Sequence, residues 1–210
     1  MTLPRLYPIL DTALLAKRDC SVEAAAEAML EGGARILQIR HKGRYSRRTF
    51  EVAERIAEMC RRAGAAFVVD DRADIAVLLD AGVHVGQEDL PPADVRHLIG
   101  PERLLGFSTH NEAQIRAAAS EPADYLALGP IFATASKEKP DPAVGLPELR
   151  RLRALDRRPL VAIGGITRQN APSVLEAGAD SVAVIGDLLP DECSFAAFKA
   201  RMAEWRRLVG

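Results

Sequence analysis

The residues of this chain that could do chemistry are few and grouped. Asp71 and Asp89 each follow a short apolar run, and adjacent strands there would bring the two carboxylates to a shared site. One or two carboxylates, completed by waters and substrate phosphates, make up a typical Mg2+ site. Arg40, Lys42 and Lys137 follow other apolar runs and would add positive charge around the same group. Lysine is scarce, at positions 17, 42, 137, 139 and 199 only. Two acids, three cations and Mg2+ together suit a diphosphate, which carries several negative charges. The same residues could equally form Arg72–Asp or Lys–Asp pairs on the surface, which contribute little to stability. Gly164-Gly165 and Gly186 follow the last two apolar runs. Glycine there admits a phosphate close to backbone N–H donors, or simply makes a tight strand-to-helix turn. His110 is a candidate acid or base near neutral pH, or a structural histidine. Asp11 and His84 have the same two readings.

Such residues need a frame, and the apolar pattern supplies one. Eight short runs alternate with helix-like stretches: Leu6–Leu10, Ile36–Ile39, Ala66–Val69, Val83–Val85, Leu104–Phe107, Tyr125–Leu128, Leu160–Ile163 and Ser181–Ile185. Most lack polar alternation, as expected of parallel strands buried on both faces. Between them, Ser21–Leu30, Thr49–Ala63, Ile75–Ala81, Asn111–Ala119, Ser173–Ala177 and Phe195–Val209 read as helices. Gly32, Gly64, Gly82 and Gly178 stand where left-handed helix caps are expected. Eight units of about 26 residues fill the chain, which predicts an α/β protein, a single (β/α)8 TIM barrel over residues 1–210. The rival doubly wound sheet lacks its G-x-G-x-x-G after the first strand. The long irregular stretch Ala133–Gly145 is expected to act as a lid.

In such a barrel, chemistry sits where strands end. There the chain places Gln38-Ile39-Arg40-His41-Lys42, Asp70-Asp71-Arg72, Gly86-Gln87-Glu88-Asp89, Ser108-Thr109-His110 and Gly129 through Lys137. Gly164-Gly165-Ile166-Thr167 and Ile185-Gly186-Asp187 complete the set, so cations, carboxylates, hydroxyls and glycines converge on one rim.

Composition narrows the partners. Among 210 residues, 28 Lys+Arg against 29 Asp+Glu give a net charge of −1, without the basic surplus of a protein held by nucleic-acid phosphates. Aromatics are 5%, too few for stacking platforms. No 18 consecutive apolar residues occur, so no membrane span is expected, and no signal-like stretch opens the chain. Cys20, Cys60 and Cys193 have no metal-ligand spacing and read as scattered free thiols in a reducing cytoplasm. The partners expected are small-molecule substrates, with homo-oligomerisation left open.

With these residues assembled, the chain resembles the thiamine phosphate synthase family and its thiazole tautomerase relatives. The matching strings include Leu37 to Lys42, Asp71-Arg72, Gly82 to Leu90, Gly106-Phe107-Ser108, Gly129 to Lys137, Ala162 to Ile166 and Ala177 to Val184. They run in family order from about residue 6 to residue 190. The H-x-G-Q-x-D-L and G-P-I-F-x-T-x-[ST]-K strings are the specific ones.

The resemblance implies a Mg2+-dependent barrel transferase. Such an enzyme joins 4-amino-5-hydroxymethyl-2-methylpyrimidine diphosphate to a thiazole phosphate and releases diphosphate. It implies that Gln38, Arg40 and Lys42 contact the pyrimidine diphosphate, that Asp71 and Asp89 hold Mg2+, and that Ser108 and Lys137 face the diphosphate. Thr134, Ser136, Gly165, Ile185 and Gly186 would line the thiazole phosphate side. The family reaction is thought to pass through a pyrimidine-stabilised carbocation, which needs its leaving group neutralised more than it needs a strong base. The chain departs from the family at Asp70, counted with the substrate-binding residues, where Asn is usual. His41 replaces the common Glu, Ser136 the common Thr, and Gly186 the common Ser. An extra carboxylate beside a diphosphate is repulsive unless protonated, turned away or bound to metal. The alternatives are a tautomerase-like isomerase, and a non-catalytic barrel that binds a phosphorylated thiazole.

Overall fold

The computed structural model describes residues 2–134 and 142–210. Eight parallel strands close into a barrel in sequence order. They are β1 Leu6–Asp11, β2 Ile36–Arg40, β3 Ala66–Asp70, β4 Gly82–Val85, β5 Leu105–Thr109, β6 Tyr125–Leu128, β7 Leu160–Ile163 and β8 Ser181–Val184. Each lies within two residues of its predicted run. Around them stand α1 Thr12–Ala16, α2 Val22–Glu31, α3 Arg47–Ala63, α4 Ala73–Leu78, α5 Pro92–Ile99, α6 Glu112–Ala118, α7 Gly145–Arg153, α8 Ala171–Glu176 and α9 Phe195–Val209. This is the (β/α)8 fold that the alternation of runs predicts.

Two apolar clusters follow from strand alternation. Leu6, Leu10, Leu37, Ile39, Val69, Val83 and Val85 point outward and pack beneath the helices. Tyr7, Ile9, Ile36, Val68, Tyr125, Ala127, Val161 and Ala183 point at the barrel axis. Side chains in a strand alternate faces, so the inward set continues upward through Asp11, Gln38, Arg40, Asp70, His84 and Ser108. The axis is therefore apolar through its middle and polar toward the strands' C-terminal ends. Asp11, Gln38, Asp70 and His84 are all buried.

Several helix ends behave as the sequence indicates. Ser21, Asn111 and Ser194 accept hydrogen bonds from the N–H groups of Ala24, Gln114 and Ala197, each satisfying an otherwise unpaired donor. Gly64 and Gly178 are left-handed, at φ 62° and 106°. Gly32 and Gly82 are not. Gly32 is right-handed at φ −70°, and α9 explains why it is glycine. A Cβ on Gly32 would lie 2.7 Å from Met202 Cβ, so its absence lets α9 lie against α2. Gly82 opens β4, and the left-handed residue of that turn is Asp80 at φ 52°. Along α9, Phe198, Met202, Trp205 and Val209 are buried, whereas Phe195 remains exposed.

The expectation of three free thiols needs correction. Cys20 and Cys193 are joined by a disulfide, with Cα atoms 5.4 Å apart, and tie the α1–α2 turn to the segment before α9. Such distant partners in sequence carry no spacing signal; only barrel closure brings them together. Cys60 is free and buried, and burial pushes its thiol up to about 12. Of the expected lid, residues 135–141 lie outside the described residues. No described helix is long and apolar enough to cross a membrane.

The Gly32 contact gives a prediction whose sign is contested. Helix propensity alone favours Ala over Gly by up to about 1 kcal/mol. Overpacking against Met202 costs about 1–3 kcal/mol. Gly32→Ala should therefore lower stability, read as an earlier urea midpoint at unchanged slope; a later midpoint would show that α9 yields freely.

Candidate active site

The polar upper end of the barrel is organised by one tight turn. After β3, Arg72 N–H donates to Asp70 O at 2.7 Å across Asp71, which sits at φ 62°. A three-residue turn with a positive central φ is rare and strained for a residue with a side chain. Asp71 N–H is held by His84 O at 2.8 Å. The turn lets both carboxylates reach the rim while Arg72 swings out to pair with Asp74 and lie over the Tyr45 ring. One alternative offered by the sequence, an Arg72–Asp surface pair, thus exists beside the site without consuming Asp71.

Lys42 Nζ lies 2.7 Å from Asp70 Oδ2 and also pairs with Asp71. Burial works against its charge, but the two carboxylates outweigh burial and raise its pKa. Arg40 pairs with Asp11, its register partner on β1, and its Nε lies 3.8 Å from Asp70 Oδ2. Asp11 also caps α1 by accepting from Leu14 N–H at 2.9 Å. Asp70 Oδ2 is buried without a well-directed hydrogen bond; its contacts are ionic. Burial, with the neighbouring Asp71 charge, pushes Asp70 up to about 6 against the pull of Lys42 and Arg40.

Asp89 arrives from the β4–α5 loop. Its Oδ2 accepts from Gly86 N–H at 2.7 Å, which fixes the loop, and its carboxyl lies against that of Asp71. Burial and the Asp71 charge raise its pKa, opposed by the Gly86 hydrogen bond and Lys42. The described rim thus sets Asp11, Asp70, Asp71 and Asp89 against Arg40 and Lys42. Four carboxylates facing two cations leave an excess of two negative charges. A divalent cation between Asp71 and Asp89 would offset that excess. Among the described residues no cluster of three or more His, Cys, Asp or Glu forms a metal cage. A two-carboxylate site suits Mg2+, which takes its remaining ligands from water and phosphate.

The opposite side of the mouth is backbone. Gly164 and Gly165 have φ 96° and 64°, and a Cβ on either would meet the Pro130–Ala133 turn, at 2.5 Å from Pro130 and 2.6 Å from Ala133 O. Ile131 N–H donates to Ile163 O and Phe132 N–H to Gly164 O, which joins that turn to the glycine pair. Thr134 stands at its end; Ser136 and Lys137 lie outside the described residues. Ile185 and Gly186 lead into a 3-10 turn, Gly186–Leu188, anchored by Arg168 to Asp187 at 2.9 Å and by Arg168 to Glu204. Nothing lies within 4 Å of a Cβ placed on Gly186, so the fold does not require glycine there.

Beneath the rim runs a chain of hydrogen bonds that the sequence did not disclose. Gln38 Nε2 donates to Tyr7 OH at 3.3 Å, and Tyr7 OH meets Tyr125 OH at 2.9 Å. Tyr125 OH meets His84 Nδ1 at 3.0 Å, and His84 Nε2 meets Ser108 Oγ at 2.8 Å. The available signal was two tyrosines within otherwise aliphatic strands. His110 is structural in part, its Nδ1 donating to Gly129 O at 2.5 Å. His41 turns away toward Thr12 and Arg44 O.

Residues 6–188 match the family described as thiamine monophosphate synthase. The chain is 46% identical over 196 residues to a thiamine-phosphate synthase of Koribacter versatilis (strain Ellin345), covering 91% of this chain and 92% of that protein. It is 43% identical over 199 residues to a thiamine-phosphate synthase of Chloroflexus aurantiacus, covering 94% and 91%. The solved thiamine phosphate pyrophosphorylase of Pyrococcus furiosus superposes with a TM-score of 0.83 at 33% identity, over 98% of this chain and 95% of that one. The chain belongs to the thiamine monophosphate synthase family.

Proposed function

We propose that the protein is a thiamine phosphate synthase, a transferase acting on small-molecule substrates as one catalytic barrel domain over residues 1–210. It joins 4-amino-5-hydroxymethyl-2-methylpyrimidine diphosphate to 4-methyl-5-(2-phosphooxyethyl)thiazole. The bond from the pyrimidine methylene to the diphosphate oxygen breaks, a bond from that carbon to the thiazole nitrogen forms, and diphosphate leaves. The observation that carries this reading is the charge arrangement on the rim: two adjacent carboxylates, Asp71 and Asp89, with Lys42 and Arg40 beside them.

In this reading Arg40 and Lys42 bind the diphosphate, and Ser108 and Lys137 donate to it. Asp71 and Asp89 hold Mg2+, which supplies positive charge to the departing diphosphate. Gln38 orients the pyrimidine from below, and Asp70 borders the same substrate. Thr134, Ser136, Gly165, Ile185 and Gly186 receive the thiazole phosphate. The chemistry asks for neutralisation of a leaving group rather than for a nucleophile and base, and the described rim is rich in charge. The cytoplasm is the compartment assigned, because multiply charged phosphates do not cross membranes unaided.

The direct test mixes purified protein with both substrates and Mg2+ and measures thiamine phosphate and diphosphate. Product should appear with Mg2+ and vanish with a chelator. Binding of the thiazole phosphate without product would overturn the synthase reading.

Two substitutions probe the departures from the family. Asp70 now competes with a diphosphate for Lys42 and Arg40. Asp70→Asn should lower KM for the pyrimidine diphosphate about 2- to 10-fold without reducing kcat, the scale of one charge-assisted contact. A tenfold loss would give Asp70 a role of its own. The open space at Gly186 should accept a hydroxyl. Gly186→Ser should lower KM for the thiazole phosphate by about 2- to 10-fold, the value of one net hydrogen bond.

A further inference from the structure

The five-member chain beneath the rim has a direction, and the direction follows from counting protons. Tyr7 and Tyr125 are fully buried, and burial raises both phenol pKa values, so each carries a single hydroxyl proton. A hydroxyl donates one hydrogen bond. Tyr7 OH meets Gln38 Nε2, which can only donate, and Tyr125 OH, which leaves Tyr125 O as the acceptor of the Tyr7 proton. The Tyr125 proton then goes to His84 Nδ1. A ring nitrogen that accepts bears no proton, so a ring with one proton carries it on Nε2, facing Ser108 Oγ. Ser108 Oγ accepts from His84, and its own proton is turned away from the ring.

The fold makes room for this chain at one position. His84, Gly106 and Tyr125 are register partners on β4, β5 and β6. A Cβ on Gly106 would lie 2.3 Å from both His84 Nδ1 and Tyr125 OH. Glycine at 106 is what lets the imidazole and the phenol meet across the intervening strand. The rings are nearly parallel, at 25° with centroids 5.5 Å apart.

We infer that His84 is a positioning residue: the relay from Gln38 through Tyr7 and Tyr125 holds it as the Nε2–H tautomer, and it in turn aims the Ser108 O–H at a bound diphosphate. This rests on the reading that Ser108 faces that group. The opposite polarity would have the Ser108 proton pointing into the ring and a lone pair pointing at an anion. The chain also couples two of the proposed contacts to the pyrimidine diphosphate, since Gln38 begins it and Ser108 ends it. Neighbouring hydrogen bonds polarise one another in the same sense.

The test reads the tautomer and anion binding separately from turnover. Protein labelled with 15N-histidine should show His84 with Nδ1 unprotonated and Nε2 protonated at neutral pH, the signal being assigned by its loss in His84→Gln. An Nδ1–H tautomer would overturn the inference whatever the activity. Binding of inorganic diphosphate with Mg2+ gives the second arm. Tyr125→Phe should weaken it about 3- to 10-fold and Ser108→Ala about tenfold, the scale of one oriented hydrogen bond to an anion. The double variant should be no weaker than Ser108→Ala alone. Fully additive losses would mean that Tyr125 acts through packing, and would also overturn the inference. Failure of the function reading looks different: wild type would bind diphosphate, show the same tautomer and make no thiamine phosphate. Should Tyr125→Phe not fold, the wild-type tautomer still decides.

Discussion

Closing eight parallel strands on themselves forces every second side chain toward one axis, and all the proposed chemistry depends on that alternation. Residues spread from Tyr7 to Ala183 become neighbours because each occupies an inward position on its strand. The apolar middle of the axis is filled, so most inward polar side chains stand toward the mouth, where water or a ligand can satisfy them; Ser181, at the start of β8, is buried with its hydroxyl unpaired. Burying a polar group without a partner costs roughly 1–3 kcal/mol. The chain from Gln38 to Ser108 spans the boundary between those regions and pairs both the Tyr7 and the Tyr125 hydroxyl.

Above that boundary, charge is the governing constraint. Arg40 and Lys42 are each engaged by carboxylates, so neither is held in place by packing alone. This arrangement fixes the cations before a substrate arrives, a form of preorganisation that electrostatic catalysis requires. In the proposed function it also brings competition: a diphosphate would have to displace part of the carboxylate contact. Asp70 is where the competition is sharpest, because its carboxyl is buried, and its pKa is raised by that burial despite two cations nearby. The strained Asp71 turn belongs to the same economy of space, since it delivers two consecutive side chains to the rim.

The side of the mouth proposed for the thiazole phosphate works by another principle. There the Gly164-Gly165 pair and the Pro130–Ala133 turn pack backbone to backbone, and the glycines are demanded by the neighbouring turn as well as by their own positive φ. Arg168, Asp187 and Glu204 hold the Gly186 turn from behind. Gly186 itself is unconstrained sterically, which marks it as a position open to a polar side chain.

The sequence by itself determined the barrel, because eight apolar runs spaced for βα units admit few other closed arrangements. It also determined which residue types stand at the strand ends, and hence Asp71, Asp89, Arg40 and Lys42 as candidates. Their partners were decided only by tertiary structure. Asp11 meets Arg40 through the β1–β2 register, and Asp89 reaches Asp71 through a loop folded on Gly86. Gly32 does cap α2, as the sequence indicates, but in a right-handed conformation, and the helix that needs its missing Cβ lies about 170 residues away. Cys20 and Cys193 looked unrelated for the same reason. Tyr7 and Tyr125 fell within apolar runs without a reading of their own, and His84 kept two. Linear periodicity reports which face a residue occupies, but a hydrogen bond across the barrel depends on strand register and on one missing Cβ at Gly106. Those are properties of the closed barrel, and no single strand encodes them.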